Sequence, residues 1–188
     1  MIGTHLKFNS TLTKYIDYFC EKYNAIVFVD HTSGYYGKYR VLASLVAAQE
    51  YYNSSIFNID ILIHMGEQCG DYYLADSLSN VKQIWRIDIS GELKDPYRKL
   101  TYVFQMTEER FFESYYDESK SLNKPLTSYY DVCKNEIEEI KANIPELPFS
   151  NIWLAQNSVK LIPQNATIYL SILNSLRSWN FFEFPCLN

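Results

Sequence analysis

Short runs of apolar, mostly β-branched residues recur along the chain, and each is followed by a loop that carries glycine and polar side chains. The clearest runs are residues 25–29 and 59–65. A continuous apolar run of this length is typical of a strand that is buried on both faces. Segments with helical spacing separate the runs, and hairpin signals are lacking, which favours right-handed β-α-β connections. The sequence therefore predicts an α/β fold, a Rossmann-like parallel sheet covered by helices on both faces.

Apolar spacing and polar capping residues place the other elements. Ser10 or Thr11 is expected to cap the first helix, and Thr107 and Ser150 are expected to cap two later helices. Ile2 is expected to lie at the end of a strand. The predicted helices cover residues 10–23, 41–52, 72–78, 108–112, 129–144 and 150–159, and the other predicted strands cover residues 81–89, 101–106 and the stretch between Pro163 and Asn174.

The chain of 188 residues fits one domain with an appendage. We assign residues 1–118 to a Rossmann-like central domain and residues 119–160 to a linker and helices. The polar, proline-bearing stretch 119–127 is the best linker candidate. Residues 161–188 combine a proline turn, a strand and a polar Asn-Ser-x-Arg cluster. We expect them to be the start of a truncated second domain, because a lone strand with no later partner is a poor end for a domain.

Composition disfavours several classes of partner. The net charge of −5 argues against a nucleic-acid surface. No apolar run approaches the ~20 residues that cross a bilayer, and no signal peptide is recognisable. The four cysteines form no CxxC pair, so we expect buried, reduced thiols in a cytoplasmic protein.

Loops at the carboxyl ends of the predicted strands are the candidate binding sites, because ligands of parallel sheets bind there. Their glycine and polar groups suit a nucleotide or a phosphate, although neither a GxGxxG nor a Walker motif is present. Gly66 and Gly70 also fit a tight strand-to-helix turn, and Asp88 fits a turn cap as well as a ribose acceptor. The candidate residues are His5, Asp30, Thr32, Ser33, Gly66, Glu67 and Asp88.

Metal and catalytic sites are not predicted. Asp60 and His64 are four residues apart, a spacing that suits a metal on a helix but separates the two side chains on a strand. His64 is expected to pack in the core. Asp30 and His31 are neighbours that point to opposite faces of a strand, so they can act as an acid–base pair only if the loop bends.

Four segments, taken in order, resemble the central domain of thiamine-diphosphate-dependent enzymes, and most closely that of the 2-succinyl-5-enolpyruvyl-6-hydroxy-3-cyclohexene-1-carboxylate synthase family (MenD-like proteins). Residues 85–96, Trp-Arg-Ile-Asp-Ile-Ser-Gly-Glu-Leu-Lys-Asp-Pro, are the strongest match. The other three are the strand and Ser-bearing loop of residues 27–33, the apolar strand of residues 60–66, and residues 161–177, which are similar to the start of the family's C-terminal domain.

The resemblance implies a parent enzyme, a decarboxylase or carboligase of menaquinone or another biosynthesis, that holds thiamine diphosphate and Mg²⁺ between two other domains. This chain would then be a non-catalytic fragment without its own cofactor. Its partners would be sister domains of a parent homodimer or tetramer. The resemblance places Asn174, Ser175 and Arg177 nearest the substrate, with Arg177 as an anion anchor.

The match departs from the family in two places. Relatives that handle dicarboxylates have Lys-Arg where this chain has Asp71-Tyr72, and the Ser175 to Arg177 spacing is shorter than the family's. A basic pair grips carboxylates, whereas Asp repels them, so we expect a different acceptor substrate. Two other hypotheses remain open: a free-standing nucleotide- or flavin-binding module, and a purely structural domain with a Tyr/Phe packing surface.

Overall fold

The computed structural model describes residues 1–50, 52–119, 127–163 and 165–185. The strands are β1 (Val27–Phe28), β2 (Arg40–Val41), β3 (Ile61–His64), β4 (Gln83–Ile87) and β5 (Leu100–Phe104). The α-helices are α1 (Ser10–Tyr23), α2 (Ser44–Ala47), α3 (Tyr72–Ser77), α4 (Glu108–Glu113), α5 (Tyr129–Ala142), α6 (Asn151–Ser158) and α7 (Asn174–Trp179). Three short 3₁₀ helices cover Ser55–Phe57, Leu78–Asn80 and Val159–Leu161.

Two small parallel sheets meet at Ile2. The first contains β1 and β2, and the second has the order β3-β4-β5. Ile2 forms parallel bridges to Val29, beside β1, and to Met65, beside β3. The strand order is therefore β2, β1, Ile2, β3, β4, β5, which is the order of doubly wound nucleotide-binding folds. The predicted α/β class is confirmed, and the order reverses at Ile2.

Apolar side chains cover both faces of this arrangement. On one side, which we call the α1 face, α1 and α4 pack against the sheet. Ring contacts join the two helices, such as that between Phe19 and Phe112, whose ring centroids are 5.3 Å apart. The α5 face packs α3 and α5 on the other side, around Leu74, Cys133 and Ile137. Helices on both faces are expected when connections run in opposite directions from a central strand.

The C-terminal elements pack on the same body. Phe181 and Phe182 form a third apolar cluster with Leu45 of α2 and with Ala155 of α6. α5 lies within the segment predicted to be linker and helices. Its side chains Cys133 and Ile137 belong to the apolar core on one side of the sheet. Of the predicted linker, residues 120–126 lie outside the described residues.

Three predictions about elements were wrong. Asn9 caps α1, because its side chain accepts the Leu12 N–H, whereas Ser10 is the first helical residue. The helix predicted at residues 41–52 shrinks to α2, because Val41 pairs with Phe28 as part of β2. The strand predicted before Asn174 is absent, since residues 165–173 contain neither helix nor strand.

The predictions for two helix caps and for the described cysteines hold. Thr107 and Ser150 cap their helices through bonds to the Arg110 and Trp153 N–H groups. The described cysteines, Cys20, Cys69 and Cys133, are buried free thiols, while Cys186 lies outside the described residues. Within the part of the chain that the structure covers, every helix is too short or too polar to cross a membrane.

Candidate functional site at the carboxyl edge of the sheet

Asp30 is the centre of the polar groups at the carboxyl edge. Its side chain is fully buried directly after β1. Oδ1 accepts hydrogen bonds from the Thr32 N–H at 2.7 Å and the Thr32 Oγ1–H at 2.6 Å. Oδ2 accepts from the Gly70 N–H at 2.9 Å and the Cys69 thiol at 3.2 Å. One carboxylate therefore ties the loop after β1 to the loop after β3, across the point where the strand order reverses.

Ser33 connects the same loop to the first strand. Its hydroxyl donates to the Ile2 carbonyl at 2.5 Å and accepts the Asp30 N–H at 3.1 Å. The hydroxyl thereby replaces a direct backbone bond that a regular parallel pair would make at this point. We call Asp30, Thr32, Ser33 and Cys69 the carboxyl-edge cluster.

The chain's own backbone closes the space where a doubly wound fold would bind a nucleotide. The Glu67 N–H donates to the Thr4 carbonyl at 3.0 Å, and the His5 N–H donates to the Thr32 carbonyl at 3.1 Å. A Cβ atom on Gly3 would lie only 1.7 Å from the Glu67 carbonyl oxygen. The loops predicted to bind a nucleotide therefore contact each other directly.

Two of the predicted residues point away from the cluster toward other elements. His5 Nε2 lies 3.4 Å from a Glu108 carboxylate oxygen, and its Nδ1 lies 2.7 Å from the Leu6 carbonyl. The Glu67 carboxylate pairs with Lys94 at 3.1 Å. Gly66 adopts φ of +72°, a left-handed conformation that favours glycine and supports the tight-turn interpretation of this loop.

The end of α7 and the residues that follow it contact the loop after β1. The Asn180 side-chain oxygen accepts the His31 N–H at 3.1 Å. His31 Nε2 lies 2.9 Å from the Trp179 carbonyl and 3.1 Å from the Phe182 carbonyl. Both partners are acceptors, so Nε2 carries the proton. Burial lowers the pKa of His31, and the neutral ring acts as a clamp on the C-terminal segment.

Cys69 and Asp71 are buried acidic groups in the loop after β3. Burial raises the pKa of the Cys69 thiol, and the Asp30 carboxylate acts in the same direction. The thiol is therefore a hydrogen-bond donor and a poor nucleophile. Burial also raises the pKa of the Asp71 carboxyl group, which caps α3 by accepting the Tyr73 N–H at 3.0 Å.

A second polar group surrounds Arg86, whose side chain is 1% exposed although it lies within β4. Its Nη1 donates to His64 Nδ1 at 3.1 Å and to the Gly66 carbonyl at 3.2 Å. Burial lowers the pKa of His64 to about 3, and the Met1 ammonium and Arg86 add to the shift. His64 is thus a neutral core histidine, as the sequence predicts.

Asp88 belongs to this second group and not to the carboxyl-edge cluster. Its carboxylate accepts a short hydrogen bond from Arg86 Nη2. It also accepts the Ser90 N–H at 2.9 Å and the Ser90 hydroxyl at 2.5 Å. The Ser90 bonds are the main reason that the pKa of Asp88 is lowered. The contacts match the turn-cap alternative, and both carboxylate oxygens accept hydrogen bonds from within the chain.

The residues predicted nearest to a substrate lie on α7. The Arg177 guanidinium stacks over the Tyr72 ring at 4.2 Å, while Asn174 is exposed and Ser175 is half-buried. Leu176, between them, packs over the loop after β3, because a Cβ atom on Gly70 would lie 2.6 Å from Leu176 Cδ2. The α7 side chains that face the sheet therefore close the edge, and Arg177 is held by an aromatic ring.

Sequence reasoning missed three important residues. Cys69, Arg86 and Asn180 join groups from loops that are distant in the chain. Of the three, only Arg86 could have been recognised from the sequence, because a cation in an otherwise apolar strand needs a buried partner. Among the residues that the structure covers, no group of three or more His, Cys, Asp or Glu side chains is arranged to hold a metal ion.

No protein-family model matches the chain, and a search of curated proteins finds no significant match.

Proposed function

We propose that this chain is a non-catalytic support domain, equivalent to the central domain of a thiamine-diphosphate-dependent decarboxylase or carboligase. The observation that carries the proposal is the closure of the carboxyl edge. The carboxylate oxygens of Asp30 and Asp88 accept internal hydrogen bonds, and Asn180, directly after α7, is bonded to the loop that contains His31. A domain with this geometry orients its neighbours, and the chemistry belongs to them.

Thiamine diphosphate does not fit the residues of this chain. A Gly-Asp pair that begins a diphosphate and Mg²⁺ site occurs only at Gly70-Asp71. Here the Gly70 N–H is bonded to Asp30, and the Asp71 side chain caps α3. When bound, the cofactor would stabilise a carbanion. We infer that sister domains of the parent enzyme would hold the cofactor and its Mg²⁺.

Exposed apolar side chains in the C-terminal third support a role in packing against other domains. Phe149, Tyr169 and Ile172 are 85%, 92% and 75% exposed. Large apolar side chains that are exposed to this degree often mark surfaces that pack against another domain of the same chain. We infer that this region contacts sister domains in a homodimeric or tetrameric parent. The buried free thiols favour a cytoplasmic location.

The substrate of the parent enzyme is inferred to differ from that of the menaquinone pathway. Tyr72 occupies a position where dicarboxylate-handling members of the family that the sequence resembles carry a basic residue, and its ring stacks with Arg177. We therefore infer a 2-oxoacid transferase whose acceptor belongs to another biosynthetic pathway.

The mass of the natural polypeptide tests the proposal. The isolated chain is 22.1 kDa. An antibody against it should detect a protein roughly two to three times larger in the source cell, because two further domains of ordinary size are required. Immunoprecipitated material should decarboxylate a 2-oxoacid only when thiamine diphosphate and Mg²⁺ are added. A protein of the chain's own mass, without that activity, would refute the proposal.

The nucleotide-binding alternative is supported only by the strand order. Calorimetry of the chain with FAD, NAD and ADP separates the two functions, and our proposal predicts no heat of binding for any of them. Saturable binding of one of these ligands, weakened by Thr32→Val but not by Thr101→Val at an exposed position of β5, would favour the alternative.

A further inference from the structure

The sheet ends at β5, which is paired on one side only. β4 is its neighbour, and no strand among the described residues lies on its other side. The ladder with β4 is regular at Tyr102, Val103 and Phe104, while Thr101 falls in a bulge of the register. An edge strand of this kind presents unpaired backbone groups to any extended chain that meets it.

The backbone of Val103 faces the open side of β5. The Phe104 carbonyl accepts the Asp88 N–H at 3.2 Å, so the backbone groups of Phe104 face β4. Successive residues of a strand turn their N–H and C=O groups to alternate edges. The N–H and C=O groups of Val103 therefore both face away from β4, in the orientation that accepts another strand.

Aromatic side chains on β5 extend a row that begins on β4. The ring centroids of Tyr102 and Phe104 lie 6.1 and 5.6 Å from that of Trp85. Phe104 packs in the core of the α1 face, and Tyr102 lies two residues before it on the same face. Tyr102 is 56% exposed, so its ring is accessible to a further aromatic side chain. Aromatic pairs across neighbouring strands stabilise a sheet.

The two ends of β5 carry opposite charges. Arg98 and Lys99 precede the strand and are both exposed. Glu108 and Glu109 follow it, in the first turn of α4. An antiparallel copy of the strand would bring the basic end of each chain beside the acidic end of the other, whereas a parallel copy would bring like charges together.

We propose that β5 binds a second copy of this chain, with the two β5 strands antiparallel around a two-fold axis at Val103. The N–H of each Val103 donates to the Val103 carbonyl of the other copy, and Tyr102 of each copy lies opposite Phe104 of the other. The two sheets thereby become one continuous sheet. This interface is independent of the proposed function, because it uses neither the carboxyl-edge cluster nor the exposed apolar side chains of the C-terminal third.

The bulge and the aromatic rings set the register. An axis at Tyr102 would take its central backbone bonds from Thr101, which lies in the bulge. An axis at Thr101 would place Tyr102 opposite Leu100 and would leave Phe104 outside the paired strands. Only the axis at Val103 combines regular backbone groups with two aromatic pairs.

Sedimentation velocity of the 188-residue chain tests the proposal. The mass should rise from 22.1 kDa toward twice that value as the concentration increases. The paired segment is short, so we expect a dissociation constant in the micromolar range, about 10–100 μM. Exchange of the Val103 amide should slow about tenfold between dilute and concentrated samples. A chain that stays monomeric at about 1 mM would refute the proposal.

Val103→Pro removes the N–H that the partner strand needs and leaves the ladder with β4 intact, as proline on an edge strand does. It should weaken the dimer about tenfold or more, because two hydrogen bonds are lost by symmetry. Val103→Thr is the matched control, since it keeps both the N–H and a β-branched side chain, and its dimer affinity should be unchanged. Equal affinity of the two variants would contradict the assigned interface.

Tyr102→Lys tests the same interface if circular dichroism shows that Val103→Pro does not fold. Lysine on an edge strand opposes pairing, and the exposed position of Tyr102 tolerates it, so the dimer should weaken about tenfold. Tyr169→Lys is its control, because Tyr169 is 92% exposed in the C-terminal third. Association that is lost in Tyr169→Lys and retained in Tyr102→Lys would overturn the β5 interface and support the packing surface of the proposed function.

Charge reversal tests the antiparallel direction. Lys99→Glu should weaken the dimer about threefold at low salt, because it places an acid beside the acidic end of the other copy. Adding Glu109→Lys to the same chain should restore the affinity, since each new Glu then lies beside a new Lys of the other copy. A double variant as weak as Lys99→Glu would refute the antiparallel arrangement.

Discussion

The carboxyl edge of the sheet is filled by side chains and backbone, whereas the amino edge contains a groove. At the carboxyl edge, the Asp30 carboxylate, α7 and close backbone contacts satisfy the polar groups and fill the space. At the amino edge, an apolar groove of about 860 Å³ is lined by residues of β1 and β3, among them Val27, Ile61 and Ile63. Strand order alone would place a ligand at the carboxyl edge. Strand topology therefore gives the place where a site can form, and the side chains decide whether that place stays open.

The largest effect is expected from breaking the closed edge at Asp30. Asp30→Asn replaces one acceptor oxygen with an NH₂ group, which must face either Thr32 or the Gly70 N–H, and both are donors. We expect the free energy of unfolding to fall by about 3 kcal/mol, because buried donors lose a charged acceptor. Urea unfolding measures it.

Asp60→Asn is the matched control. Asp60 pairs with Lys82 at 2.5 Å, and both side chains are 77% exposed, so the loss should stay below about 1 kcal/mol. Equal losses in the two variants would show that Asp30 does not hold the carboxyl edge together.

A smaller effect is expected from acid, acting through His64. Its pKa is about 3 in the folded chain and about 6.5 when unfolded. Between these values the unfolded state binds more protons, so stability falls as the pH drops from about 6.5 toward 3. At pH 5 the loss from His64 should be about 2 kcal/mol. The lowered pKa of His31 adds to it in the same direction.

His64→Gln isolates this contribution, since glutamine keeps an acceptor for Arg86. Urea unfolding at pH 7 and pH 5 should show a weaker pH dependence in the variant than in the original chain. Identical dependence in both would mean that protonation of His64 does not contribute.

The smallest effect is expected at the open edge. Ile61 lines the groove and is 44% exposed, whereas its neighbour Leu62 is 2% exposed. Ile61→Ala should lower the free energy of unfolding by about 1 kcal/mol or less, because little apolar area is lost. Leu62→Ala, the buried control, should cost at least about 2 kcal/mol. Similar losses for both, in urea unfolding, would show that the groove is as well packed as the core.

Apolar runs and capping residues were enough to predict the class of fold. Buried strands keep a continuous apolar signature wherever they lie, and Thr107 and Ser150 cap helices through contacts only three residues away. The errors arose where distant pairing decided the outcome. Val41 begins a stretch whose sequence favours a helix, but its pairing with Phe28 makes it part of a strand.

The candidate site was predictable only in part, for the same reason. Asp30, Thr32 and Ser33 lie in one loop, so their grouping follows from the sequence. Cys69 and Asn180 reach this loop from 39 and 149 residues away, counted from Asp30 and from His31 respectively. No local sequence pattern predicts contacts between residues this far apart in the chain. Asp88 fitted two roles at the level of sequence, and its bonds to Arg86 and Ser90 match the structural one.

The central position of Ile2 has a consequence for the kinetics of folding. Ile2 joins two sheets through partners 27 and 63 residues away, so both connections close long loops. Such contacts form slowly, because chain entropy must be lost before they become favourable. The sheet of β3, β4 and β5 can assemble earlier from nearer neighbours. Docking of the first strand is therefore expected to be a late event, and it makes two half-sheets a single cooperative unit.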